Sequence, residues 1–216
     1  ASWHWQFPGG SPALDSSLYP VVSYPTAGTF TVFLTVTDSS GNSSTDSLIL
    51  QIDNFQAPTF VDESFETSFP PFPIELYNPD NGQTWEQSSL GGGYGLSTKT
   101  AWFNNFDYWP GGDEDDLRMS INFIQPSSTW LKFDVAYAQY AVNYSDSLEV
   151  LISTDCGQNF QSLYFKGGSD LATSANINTA FVPTATEWRT DSIDLSSYAN
   201  TAEIMLAFRN HSGWGN

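Results

Sequence analysis

The chain has 216 residues, 40% of them hydrophobic and 16% aromatic, with 24 acidic against six basic side chains and a formal net charge of −18. That much apolar material supports a folded core and excludes a disordered chain, and the length suits one and a half to two domains. The charge excludes nucleic acid and anionic membrane surfaces as partners and favours cations, and no apolar run is long enough to insert in a bilayer.

In chain order, Ala1-Ser2-Trp3 opens abruptly in what reads as a strand, so a cut is expected there rather than a native start. Thr29 to Thr37 alternates with period two, which places Phe30, Val32, Leu34 and Val36 on one face. The run Asp38-Ser-Ser-Gly-Asn42 reads as a turn. Ser47 to Ile52 alternates again, with Leu48, Leu50 and Ile52 together, so a β-hairpin closes the first unit. The expected division is a first unit over 1–53, a linker over 54–59 containing Pro58, and a second unit over 60–216.

In the second unit Trp130 to Tyr137 places Leu131, Phe133, Val135 and Tyr137 on one face. Ser147 to Ser153, Trp188 to Leu195 and Glu203 to Arg209 are further strands, the last grouping Ile204, Leu206 and Phe208. Long loops rich in Gly, Asn, Asp and Ser separate them, and no stretch has helical periodicity. The expected class is all-β, built as sandwiches or jelly rolls.

Candidate chemistry is sparse. One cysteine, Cys156, excludes an internal disulfide framework. His4 and His211 stand 207 positions apart, with no His-Glu-x-x-His helix for zinc and no Gly-x-Ser-x-Gly elbow for a serine nucleophile. The run Asp113-Glu114-Asp115-Asp116 follows Gly111-Gly112 in an expected loop. Four adjacent acids repel unless solvated or neutralised, so the run is either a solvated loop or a source of hard oxygen ligands for Ca²⁺. Its spacing is not that of an EF-hand. Trp102, Phe103, Phe106, Tyr108 and Trp109 cluster in an Asn-rich region, with Trp214 further on. Such rings either pack the sandwich or stack on sugar faces.

Two resemblances follow from particular residues. Trp5-Gln6-Phe7-Pro8-Gly9-Gly10, then Tyr24-Pro-Thr-Ala-Gly28-Thr-Phe30-Thr-Val32 and Leu34-Thr-Val36-Thr-Asp38, resemble the C-terminal part of a PKD domain. That resemblance implies a partial immunoglobulin-like sandwich. From residue 60 onward the chain resembles the jelly-roll modules called choice-of-anchor J, cleaved adhesin and MAM-like. The carrying residues are Glu63-Ser64-Phe65-Glu66, Asn78-Pro79-Asp80-Asn81-Gly82-Gln83-Thr84-Trp85, Asp116-Leu117-Arg118-Met119-Ser120 and Asp146 to Gly157. Trp188-Arg189, Asp194 to Tyr198 and Ala207-Phe208-Arg209 complete the set. The family closes with one more strand, which this sequence does not reach by Asn216.

The resemblance implies a structural Ca²⁺ held by Glu63 or Glu66, Asn78 and Asp80, and Asp115 or Asp116, with Asp113 available from the acidic run. It also implies a secreted or cell-surface protein of Bacteroidota, in which such tandems sit behind a catalytic domain such as a zinc metallopeptidase and ahead of a type IX secretion tail. The expected role is accessory or adhesive, with a surface glycan or protein as ligand through Trp102, Tyr108, Trp109 and Trp214; the alternatives are a carbohydrate-binding module or part of a large adhesin. Ser47, Ser147 and Ser192 sit in Asp-Ser-Leu/Ile triplets that resemble the O-glycosylation signal of such secreted proteins.

Overall fold

The computed structural model of the chain describes residues 1–52, 57–107, 114–123, 129–199, 201–213, 215 and 216. They fall into two units, Ala1–Gln56 and Ala57–Asn216.

The first unit is one antiparallel sheet. Its strands are β1 (Ser2–Gln6), β2 (Leu14–Asp15), β3 (Gly28–Thr37) and β4 (Ser43–Ile52), in the order β2-β1-β3-β4. Alternation sets Phe30, Val32, Leu34 and Val36 on one face, and the register adds neighbours from both sides. Trp3 pairs with Val36 and Trp5 with Leu34 from β1, while Leu48 pairs with Val32 and Leu50 with Phe30 from β4. Cover over this face is uneven: Phe7 is 4% and Val32 6% exposed, but Leu48 is 66% exposed. The turn Pro8-Gly9-Gly10 needs its glycine. Gly9 has φ +84°, and a Cβ there would meet the Phe30 ring at 2.8 Å. The expected hairpin turn is closed by Asp38, whose Oδ1 accepts from the backbone N–H groups of Ser40 and Asn42 and whose Oδ2 accepts from the Asn42 amide.

The second unit contains β5 (Ile74–Tyr77), β6 (Glu86–Ser88), β7 (Thr100–Trp102), β8 (Glu114–Asn122), β9 (Trp130–Val135), β10 (Ser147–Ser153), β11 (Gln161–Gly167), β12 (Arg189–Asp194) and β13 (Glu203–His211). Its one α-helix among the described residues, α1, is the single turn Gly168–Leu171. A five-stranded antiparallel sheet runs β11-β10-β13-β8-β5, and two two-stranded pieces, β12-β9 and β6-β7, form the other layer. The five-stranded sheet turns Ile74, Leu117, Met119, Ile152, Ile204 and Leu206 inward, and Leu131, Ile193, Ala101 and Trp85 of the other layer pack on them. Pro58, within the stretch read as a linker, belongs to this unit: its carbonyl accepts from Asn122 N–H at 2.9 Å.

One expectation is corrected. The acidic run does not stay in a loop, because Glu114, Asp115 and Asp116 are the first residues of β8 and pair with His211, Asn210 and Arg209 of β13. The strand provides what four adjacent acids lacked in isolation: successive side chains point to opposite faces, and the neighbouring strand supplies an arginine. Both units are all-β, as the alternation predicts.

Candidate functional site

The pleat of β8 separates the acids. Asp116 faces away from the core with Arg118 and is 0% exposed. Arg118 donates to its Oδ2 at 2.6 and 2.8 Å, and Arg209 donates to both of its oxygens at 2.7 and 3.1 Å. Two guanidiniums on one buried carboxylate offset its desolvation and leave it unsuited to a cation. The same carboxylate holds the Arg209 pKa above its ordinary value. Glu114 and Glu149 extend this outer network by clasping the two ring nitrogens of His211 at 3.1 and 2.9 Å.

Asp115 faces the other way, into the sandwich, and is 1% exposed. It pairs with Asn210 across the sheet. Tyr77, the last residue of β5, pairs with Asp116, and Asn78 follows it. Asn78 donates to Gly82 O at 3.0 Å, while its Oδ1 and Thr84 Oγ1 are buried oxygens with no hydrogen-bond partner among the described residues. Trp85 Nε1 donates to Asp115 O at 3.0 Å, and Asp80 accepts from Gly82 N–H in the same turn. Asn105 and Asn210 exchange amide hydrogen bonds at 3.0 Å in both directions, closing the row. This set is made of hard oxygens, which suits calcium chemistry. Among the described residues no three His, Cys, Asp or Glu side chains converge as a metal-binding group. A cation here would therefore rest on Asp115 and neutral oxygens.

Glu66 and Glu63 are engaged by backbone and side-chain donors of their own. Glu66 accepts from Ser97 Oγ, Thr98 N–H, Thr98 Oγ1 and Lys99 N–H. The Thr98 and Ser97 hydroxyls, with the Thr98 and Lys99 amides, hold its carboxyl down to about 2. It clamps the loop before β7. Glu63 accepts from Phe65 N–H. Asp113, Tyr108, Trp109 and Trp214 lie outside the described residues. Trp102 is half-buried in β7, with Phe103 buried beside it against Trp85. Ser47 and Ser192 are exposed, whereas Ser147 is half-buried in β10 between β11 and β13. Cys156 is an exposed loop thiol.

Sequence reasoning misses two features. The first is Asp146, 1% exposed, which accepts from Gly213 N–H at 2.8 Å, Asn216 N–H at 3.0 Å and Tyr137 OH at 3.3 Å. Burial pushes its carboxyl up, against the pull of these donors. A Cβ on Gly215 would lie 2.1 Å from Asp146 Oδ2, so the pattern Gly213-x-Gly215 was a readable sign that backbone passes close to a side chain here. The second feature is a cavity of about 780 Å³ within the second unit. Its floor is the five-stranded sheet. The continuous stretch 130–137, which begins with β9, and the stretch 100–103, which begins with β7, also line it.

Residues 1–50 match the PKD domain family. No curated protein matches the chain. Among solved structures it is similar to a carbohydrate-binding module of the β-sandwich superfamily, at 15% identity and a TM-score of 0.43, covering 100% of this chain and 80% of that one. It is also similar to the K2 cleaved adhesin domain of Lys-gingipain, at 17% identity and a TM-score of 0.43, over 68% of this chain and 92% of that one. A third similar structure, from Clostridium perfringens ZmpB, has 10% identity and a TM-score of 0.23, over 98% of this chain and 39% of that one. At these scores nothing about function passes from them to this chain.

Proposed function

We propose that this chain is a non-catalytic adhesion or ligand-presenting region of a secreted or cell-surface multi-domain protein. The observation that carries the reading is the PKD match over residues 1–50, followed by a second all-β unit. The clasp on His211 supports it, since carboxylates engage both ring nitrogens. No helix among the described residues is long and apolar enough to cross a membrane. In this reading the parent is an exported Bacteroidota protein with a type IX secretion tail, and the region serves a zinc metallopeptidase or a large adhesin. Its ligand is a surface glycan or protein. The chain, immobilised with Ca²⁺ present, should retain one class from a panel of glycans and extracellular proteins. Retention of nothing, or hydrolysis of casein or of a polysaccharide, would overturn the reading.

A second reading, a carbohydrate-binding module of a glycan-degrading enzyme, is favoured by rings at the cavity: half-buried Trp102 and Trp130, which is 53% exposed. Retention of glycans alone, lost in Trp130→Ala, would select it.

The same reading includes a structural calcium held by Asn78 and Asp115, with Asp80 at the lip. The ion would bridge the Asp115 carboxylate and the Asn78 side-chain oxygen and would tie the 78–84 loop to β8. It binds only the folded state, so stability rises with free Ca²⁺. The melting temperature should fall by several degrees on chelation, and Asp115→Asn should abolish the difference. Identical melting curves with and without chelator would remove the calcium. Ser47 and Ser192, both exposed, are the proposed O-glycosylation sites, and the intact mass of native material checks them.

A further inference from the structure

We infer that the outward face of the five-stranded sheet is a glycan-contact surface, which takes an unbranched neutral oligosaccharide along the row from Tyr77 to Phe165. The register assembles that row. Tyr77 of β5 pairs with Asp116 of β8, Asp116 with Arg209 of β13, Arg209 with Glu149 of β10, and Glu149 with Phe165 of β11. One residue from each strand therefore stands in a single line across the sheet, on the side away from the core and the cavity. Four steps of about 4.8 Å set its ends about 19 Å apart at the backbone.

Both ends are exposed rings: Tyr77 is 43% and Phe165 60% exposed. Each is propped from within the row. The Arg118 guanidinium carbon lies 3.5 Å from the centre of the Tyr77 ring and 5.1 Å from that of Phe160. The Phe165 ring lies 5.5 Å from the imidazole of His211. The props are themselves tied down, since Arg118 donates to Asp116 while Glu114 and Glu149 grip His211. The charged network thus holds two exposed rings at a set separation, and such preorganisation lowers the ordering cost of binding.

The groups between the rings select the ligand. Arg118, Arg209, Asp116, Glu114, Glu149 and His211 are charged or chargeable, and they pair with one another. A protein partner would have to seal these charges from water, and the centres of protein interfaces are depleted in charge. A sugar replaces water instead. Its hydroxyls donate to the remaining lone pairs of Glu114 and Glu149 and accept from guanidinium N–H groups, while its flat C–H faces rest on the rings. The net charge of −18 turns away acidic sugars, which leaves neutral ones. The inference rests on the reading that this region binds a ligand, and it names the surface and the class.

The test screens the chain against an array of neutral unbranched oligosaccharides and titrates the retained hexasaccharide and its disaccharide. The hexasaccharide should bind more tightly, because only the longer chain reaches both rings. Phe165→Ala and Phe165→Leu should each weaken it about tenfold at an unchanged melting temperature, Phe165→Trp should bind as the parent does, and Trp130→Ala should have no effect. Equal affinity for the two lengths, or full binding by Phe165→Leu, overturns the inference. Binding that survives Phe165→Ala and is lost in Trp130→Ala moves the glycan to the cavity; it overturns the inference and leaves the ligand-binding reading standing. Retention of an extracellular protein with no glycan bound does the same. Retention of neither overturns both.

Discussion

At the scale of single residues, Glu66 has the most direct consequence. Four donors from residues 97–99 converge on its carboxylate, and they hold its pKa near 2 against an ordinary 4.5. A depressed carboxylate stabilises the fold above the unfolded pKa and loses that contribution as pH falls toward the folded one. Denaturant midpoints should therefore drop between pH 4.5 and 2, and some of that drop should vanish in Glu66→Gln. An unchanged pH profile in the variant would show that the clamp is not formed. Sequence made Glu66 conspicuous as an acid, but not what it holds: its partners lie 31 to 33 positions away. The acids of β8 teach the same lesson. Composition marks Asp115 and Asp116 as a charged pair, and only the pleat decides that one meets two arginines while the other enters the core. Asn105 and Asn210, 105 positions apart, gave no sign of pairing.

At the scale of elements, two hairpins are closed by the same chemistry. In the β3–β4 turn Asp38 accepts from Asn42 N–H and the Asn42 amide at 2.9 and 3.0 Å. In the β10–β11 turn Asp155 accepts from Asn159 N–H and the Asn159 amide at 2.9 and 2.7 Å, with Ser153 Oγ adding a third bond. The Asn159 side chain and backbone, then Ser153, hold Asp155 at about 2. Asp155→Ala should lower the melting temperature by roughly 2–4 °C and speed amide exchange in β10 and β11 near the turn. Faster exchange spread evenly through the unit would count against a local role. Long alternating strands such as β3, β9, β10 and β13 were legible because one face carries Val, Leu, Ile or Phe at every second position. β5, β6 and β7 have four residues or fewer, too short for a period to emerge. The entry to β8 was hidden by its acids, which sequence reasoning assigns to solvent.

At the scale of the whole molecule the charge of −18 dominates. Only a few acids are neutralised by arginine or lysine, and compaction brings the remainder closer together. Raising NaCl from about 10 to about 150 mM shortens the screening length from about 30 to about 8 Å. With chelator present, the melting temperature should rise over that range. A fall would mean that the arginine pairs on Asp116, and the Lys166 and Arg189 pairs on Asp191, outweigh the general repulsion. The first unit's sheet order has a mechanical consequence. β1 and β4 flank β3, Ser2 lies opposite Thr37, and Ile52 lies opposite Gly28. A pull applied at Ser2 and Ile52 drags the two outer strands in opposite directions along the middle one. The ladder is loaded in shear, so its bonds share the force and yield together, whereas the same bonds pulled open from the Asp38 turn would break in succession, each carrying the whole load in its turn.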